Sequence, residues 1–132
     1  MQISEGQTLT REFEVQDRHT AAHIGSGTVK VLATPVMIAF IEITALELMG
    51  QSLEEGYTSV GTRLDIRHLA PSPLGRTVQV NTTVEQVDGN KVILQAEVWD
   101  GGTLVGSGSH ERFVIEVKRF TERVKKLSEA QD

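Results

Sequence analysis

The stretch Thr34-Pro35-Val36-Met37-Ile38-Ala39-Phe40-Ile41-Glu42-Ile43-Thr44-Ala45-Leu46-Glu47-Leu48-Met49-Gly50 decides the fold. It opens as helices open: Thr34 suits an N-cap, and Pro35 suits the first helical position, where a missing N–H is no loss. It closes as helices close, because Gly50 can take the left-handed conformation past the last turn. The spacing predicts a helix over Pro35–Met49, about 22 Å long at roughly 1.5 Å per residue. The helix is apolar nearly all round and so needs cover on most sides. It is too short, and carries too many carboxylates, to span a bilayer.

Glu42 is the anomaly within it. At about 100° per residue, Pro35, Ile38, Ala39, Ala45, Leu46 and Met49 fall on the same side as Glu42. Glu47 lies instead near Thr44 and Gln51, with a route to water. A carboxylate in an apolar stripe is costly unless it is paired or hydrogen-bonded. That setting suits a general base or a strong orienting acceptor. It equally suits a structural carboxylate paired with an arginine, for which Arg112 and Arg67 are the candidates.

Working outward, Thr8–Gln16 alternates as a strand, with Leu9, Phe13 and Val15 mostly on one face. Asp17–Thr28 is polar and contains glycine, and reads as a loop. His19 and His23 in it have an i, i+4 spacing that binds metal on a helix, but Gly25, Gly27 and the lack of a third ligand argue against a metal site. Downstream of Gln51–Gly56 the period changes from helix to strand. Val60, Thr62, Leu64, Ile66 and His68 are expected to share the inward face, and Ser59, Gly61, Arg63, Asp65 and Arg67 the other. Ala70-Pro71-Ser72-Pro73 then breaks the strand.

Arg76–Val87 and Lys91–Trp99 are strands joined by the turn Asp88-Gly89-Asn90, and Val87 is out of phase, which suggests a bulge or a strand end. Asp100-Gly101-Gly102 turns into a long strand over Thr103–Val117. Val105, Phe113, Ile115 and Val117 share one of its faces, and Gly106, Gly108, His110 and Arg112 share the other. Phe120–Ala130 is expected to be a charged, solvated terminal helix. One apolar helix followed by long antiparallel strands predicts an α+β domain, with a sheet curling around the helix. One sheet leaves a side of that helix open, so a second copy is expected to cover it.

Composition sets the bounds. The chain of 132 residues is the size of a single domain, here 1–132, and 39% apolar with 23% charged residues is ordinary for a soluble protein. A net charge of −5 argues against a general nucleic-acid binder. With no cysteine there is neither a disulfide framework nor a thiol nucleophile. No signal peptide and no apolar run long enough for a membrane span is visible, so a cytoplasmic protein without membrane attachment is expected.

This order of elements resembles the hotdog fold, and in detail the fluoroacetyl-CoA thioesterase-like family. The residues that carry the resemblance are Ala33-Thr34 at the helix entrance, Glu42 in mid-helix, Val60-Gly61-Thr62 on the next strand, His68 with Pro71, and Gly106-Ser107-Gly108-Ser109-His110-Glu111-Arg112. The resemblance implies hydrolysis of acyl-CoA thioesters at a dimer interface, with Thr34, Glu42 and His68 as the catalytic residues and Gly61 and Arg112 at the substrate. It implies no metal or prosthetic group; coenzyme A enters as part of the substrate. It implies a homodimer with its two central helices near each other, with higher assembly left open. The fluoroacetyl-specific enzyme has bulky apolar lid residues before the threonine. The corresponding run Thr28-Val29-Lys30-Val31-Leu32-Ala33 is smaller here, which favours small or short-chain acyl groups in general.

Each residue also has a plainer reading. Thr34 fits a helix cap, or a nucleophile, or a group that orients water at helix N-terminal amides able to stabilise an oxyanion. His68 fits a buried, backbone-bonded ring or a proton acceptor near neutral pH. Gly61 marks either a bulge or a close approach by ligand. His110 leans to a structural or interface role. At the level of the whole protein, the alternative to a hydrolase is a non-catalytic acyl-CoA or acyl-carrier binding module. A hydratase is disfavoured, since its Asp and His pair near the helix entrance is not found.

Overall fold

The computed structural model describes residues 2–130. Five antiparallel strands, β1 (Thr8–Glu14), β2 (Tyr57–His68), β3 (Thr77–Asp88), β4 (Lys91–Asp100) and β5 (Thr103–Glu116), form one sheet in the order β1-β3-β4-β5-β2. The segment expected to be loop holds a 3-10 turn (Asp17–His19) and a short helix, α1 (Ala21–Ile24). The long helix α2 (Thr34–Gly50) lies across the sheet, and α3 (Val117–Glu129) ends the described chain. This is the expected α+β, hotdog arrangement. Among the described residues no helix is long and apolar enough to cross a membrane.

The core lies between α2 and the concave face of the sheet. Near the N-terminal half of α2, Met37, Phe40 and Ile41 pack on Val78, Val80, Ala96, Val98 and Val105. Toward its C-terminus, Ala45, Leu48 and Met49 pack on Val84, Val92, Leu94 and Val114. Each large side chain so enclosed contributes about 1.5–3 kcal/mol relative to exposure. Thr44, the buried polar residue of α2, turns its hydroxyl back onto the Phe40 carbonyl at 2.8 Å.

The ends of α2 correct the sequence reading. Ala33 is the N-cap, and Thr34 is the first helical residue. The helix runs through Gly50, and its cap is Gln51 in a right-handed conformation. Two hydrogen bonds onto Ala33 hold the entrance: its N–H donates to the His19 carbonyl, and its own carbonyl accepts from Met37. The Thr34 hydroxyl is therefore released from capping.

Two further corrections concern faces. In β2 the register shifts between Gly61 and Arg63, so Thr62 is the extra residue of a bulge. Its hydroxyl donates to the Glu111 carboxylate at 2.7 Å on the outer side. Leu64, Ile66 and His68 do face inward, opposite His110, Gly108 and Gly106, but Ser59 and Gly61 share that face and Val60 does not. In β5 the face of Gly106, Gly108, His110 and Arg112 is the inward one and also carries Val114, and the register shift at Val98/Trp99 leaves Val105 buried in the core instead of beside the exposed Phe113; Val117 lies beyond the strand, in α3. The physical reason is space: a Cβ at Gly106 would lie 2.7 Å from the Met37 sulfur. The bulge suspected near Val87 is present, with the register shift between Val84 and Gln86.

Candidate active site

Two clusters of functional side chains lie under α2. The first is at its N-terminus. The Thr34 Oγ1 is 2.7 Å from His68 Nδ1, a bond made possible because Ala33 takes the cap position and β2 ends with His68 facing inward. His68 Nε2 is buried and has no hydrogen-bond partner among the described residues. Burial pushes the His68 pKa below its ordinary value, and a backbone contact with Ala70 offsets part of this. The shift favours the neutral ring, which is able to accept a proton.

A groove of about 360 Å³ opens beside this pair, lined by Ala21, Leu32, Thr34, His68, Leu69 and Pro71 among others. Bridges between Thr20 and Leu32 and between Val31 and Pro73 fasten its walls. The first turn of α2 adds a backbone donor: Pro35 has no N–H, and the Val36 N–H is one of the early amides that helix geometry leaves without an intrahelical partner. His19 and His23 do not join the groove or each other. His19 Nδ1 lies 3.0 Å from the Gln16 backbone N–H, and His23 faces Asp17 at 3.6 Å. Among the described residues no group of three His, Asp or Glu is placed to hold a metal ion.

The second cluster is built on β2 and β5. Arg112 is buried, 5% exposed, and must have each of its donors satisfied. Its Nε donates to the Ser59 hydroxyl at 2.8 Å, and its Nη2 to the Ser59 carbonyl at 2.9 Å. Its Nη1 faces His110 Nε2 at 3.1 Å and the Glu42 carboxylate at 3.7 Å. Burial lowers the Arg112 pKa, and the charge of Glu42 opposes that shift. Of the two arginines expected as partners for Glu42, Arg112 is the one used.

Glu42 itself is not enclosed as the helix pattern suggested. Its side chain is 39% exposed: it reaches over β2, the edge strand of the sheet, where cover on one side is missing. Gly61 lies directly beneath it. A Cβ there would sit 2.6 Å from Glu42 Oε2 and 3.2 Å from His110 Cε1, so the glycine is the space into which the carboxylate fits.

Glu42, Gly61 and Arg112 are thus brought together, and so are Thr34 and His68, but the two sets do not meet within the chain. Eight residues of helix separate Thr34 from Glu42, about 12 Å of rise. The sequence reading missed Ser59, which anchors Arg112. Its one available signal was its place on the same face as Gly61.

Comparison with known proteins bears on this geometry. The profile of the FlK family, fluoroacetyl-CoA-specific thioesterases, matches residues 15–118. The chain is 30% identical over 131 residues to the fluoroacetyl-CoA thioesterase of Streptantibioticus cattleyicolor, covering 95% of this chain and 94% of that protein. The solved structure of the fluoroacetyl-CoA thioesterase FlK superposes with a TM-score of 0.88 at 30% identity, over 94% of this chain and 96% of that one. A thioesterase superfamily member from Thermus thermophilus superposes with a TM-score of 0.90 at 29% identity, over 98% and 96%. With the helix entrance, the strand bulge and both clusters in place, the chain belongs to the fluoroacetyl-CoA-specific thioesterase family of hotdog-fold thioester hydrolases.

Proposed function

We propose that the protein hydrolyses small or short-chain acyl-CoA thioesters to the acid and CoA, using Thr34, His68 and Glu42. The observation that carries this reading is the 2.7 Å bond from Thr34 to His68 Nδ1 at the entrance of α2, beside an open groove. His68, neutral through burial, takes the proton of the attacking group, which is the Thr34 hydroxyl or a water bonded to it. The Val36 N–H and the helix dipole face the oxyanion that develops on the thioester carbonyl. Collapse of that intermediate breaks the C–S bond, and the proton held on His68 goes to the departing thiolate; where Thr34 is the attacking group, a water that gives its proton to His68 then cleaves the acyl-threonine ester, releasing the acid and restoring the hydroxyl. No metal or prosthetic group enters the scheme.

The acyl group is set by the groove. Val31 and Leu32 are among its lining residues, and among the described residues no phenylalanine, tyrosine or tryptophan lines it. This supports a range of small acyl groups rather than fluoroacetyl alone.

The protein acts in this reading as a homodimer, with Glu42 of one protomer serving the Thr34–His68 pair of the other. Three features support it: the separation of the two clusters, the 42% exposure of Ile43 and Leu46 beside Glu42, and the twelve-residue β2, which is paired with β5 on one edge alone. An edge of that length is a ready template for pairing.

Release of CoA thiol from acetyl-, propionyl- and haloacetyl-CoA, measured beside His68→Ala, tests the chemistry. Tight binding without release would instead make the protein an acyl-CoA binding module. Mixing His68→Ala with Glu42→Gln tests the composite site. If the residues come from two protomers, random mixed dimers regain about a quarter of wild-type activity, since half are hybrids with one intact site. No regain after subunit exchange refutes the composite arrangement.

A further inference from the structure

The buried imidazole of His110 has no part in the chemistry above. It is fully enclosed on the inward face of β5, and its two nitrogens face groups of opposite kinds. Nδ1 lies 2.9 Å from the Arg63 carbonyl on the β2 bulge. A carbonyl only accepts, so Nδ1 carries the proton. Nε2 lies 3.1 Å from Arg112 Nη1. A guanidinium only donates, so Nε2 presents its lone pair. The neighbours thereby fix one neutral tautomer.

The remaining surroundings favour the same state. The charged groups facing the ring are Arg112 from its own strand and Glu42 from α2; across the ladder β4 offers Leu94, which is uncharged. Burial lowers the His110 pKa, the Arg63 carbonyl opposes this, Arg112 lowers it further and Glu42 opposes. For Arg112 the ring is not interchangeable with packing. Ser59 holds Nε and Nη2, so without the His110 lone pair Nη1 would face Glu42 alone, at 3.7 Å, beyond hydrogen-bond distance.

We propose that His110 is a positioning residue: its Nε2 lone pair fixes the Arg112 guanidinium, and through it the Glu42 carboxylate, in the arrangement that turnover requires. This rests on the thioesterase reading and adds to it a residue that touches no reacting atom.

Two variants separate positioning from mere support of the bulge. In His110→Gln the side-chain oxygen can occupy the place of Nε2 and accept from Arg112, while the bond to Arg63 is lost. In His110→Asn the side-chain amide can occupy the place of Nδ1 and donate to Arg63, while the acceptor for Arg112 is lost. The expected result is conservative rescue by Gln, with kcat within about threefold of wild type. Asn is expected to lower kcat about tenfold or more with a smaller change in KM, since the lost bond matters after binding.

The reverse order, Asn active and Gln impaired, assigns His110 to the bulge and overturns the proposal, as do wild-type rates in both. If neither variant folds, nitrogen shifts of 15N-histidine-labelled wild-type protein decide. An unprotonated Nε2 and protonated Nδ1 at His110 at neutral pH are expected, and a protonated Nε2 overturns the proposal. Absence of CoA release by the wild type refutes the thioesterase reading instead, and the ring shifts still test the tautomer.

Discussion

Gly61→Ala is the substitution whose outcome the geometry constrains most. The added Cβ would start 2.6 Å from Glu42 Oε2, against 3.4 Å for ordinary contact, so the carboxylate must retreat by about 0.8 Å. Glu42 is the free end of a partly exposed side chain, and that retreat is cheap in stability. The other close atoms, His110 Cε1 at 3.2 Å and Arg112 Nη1 at 3.4 Å, need to give by a few tenths of an ångström at most. The expected destabilisation is about 1 kcal/mol, the low end for overpacking. For a chain of this size that is a fall in Tm of roughly 3–5 °C.

Catalysis is expected to respond differently. Displacements near 1 Å in a catalytic group cost up to about a hundredfold in rate, so kcat/KM is expected to fall by roughly ten- to a hundredfold in a protein that is still folded. The assay is CoA-thiol release at a temperature well below the Tm of the variant, beside a urea melt of the same preparation. Unchanged turnover would refute the claim that Gly61 makes room for the Glu42 carboxylate in its working position. A loss of several kcal/mol would refute the claim that the strain falls on a side chain.

Other expectations follow from the same coordinates. Gly108→Ala is the opposite case, since its Cβ would meet the Asp65 carbonyl, which is backbone and cannot yield; loss of soluble folded protein on expression is expected, and a wild-type melt would contradict it. His68→Ala is expected to lower kcat by about 10²–10⁴-fold with a native circular dichroism spectrum, as fits a lost proton acceptor. Thr34→Ser is expected to keep most activity and Thr34→Ala to lose it, and an active alanine variant would leave Thr34 without a chemical role. For pH, His68 and His110 both have native pKa values below the ordinary 6.5, so the unfolded chain binds protons more readily. Stability contributed by the neutral rings is therefore complete above 6.5 and is lost as pH falls through their native values. Urea midpoints that rise toward about pH 6.5 and then level are expected, and midpoints that fall over that window would show the sign to be wrong.

The sequence made some of this legible and not the rest. The apolar run from Pro35 to Met49, the two glycine hairpin turns and the phase break at Val87 each have local causes, and each was readable. The pairing of Glu42 with Arg112 followed from the need of a carboxylate in an apolar stripe for a cation. What escaped reading was set by contacts between distant segments. No local feature of Val60-Gly61-Thr62 tells which strand residue will bulge, because the register is set against β5. The two faces of β5 were readable from the alternation, but which of them lies inward was not, because the space beneath α2 is taken up by Met37, and glycine is what fits there. Thr34 looked like a cap because Thr-Pro is a common helix entrance; the bonds that Ala33 makes to His19 and Met37 show why the entrance lies one residue earlier.

The extra residue at Thr62 has a consequence for insertions and deletions. Gly61 and His68 are seven positions apart, an odd number, so an unbroken strand would send them to opposite sides. The bulge takes Thr62 out of the alternation, and a single chain segment can then serve both the arginine cluster and the threonine–histidine pair. Deleting Thr62 would leave six positions, an even number, so a regular strand would still keep both groups inward, at the loss of the bulge that offers the Arg63 carbonyl to His110. Inserting one residue between Thr62 and His68 would instead turn one of the two groups outward unless a second bulge took it up, so the bulge is the point on this strand where a loss of one residue leaves both clusters supplied.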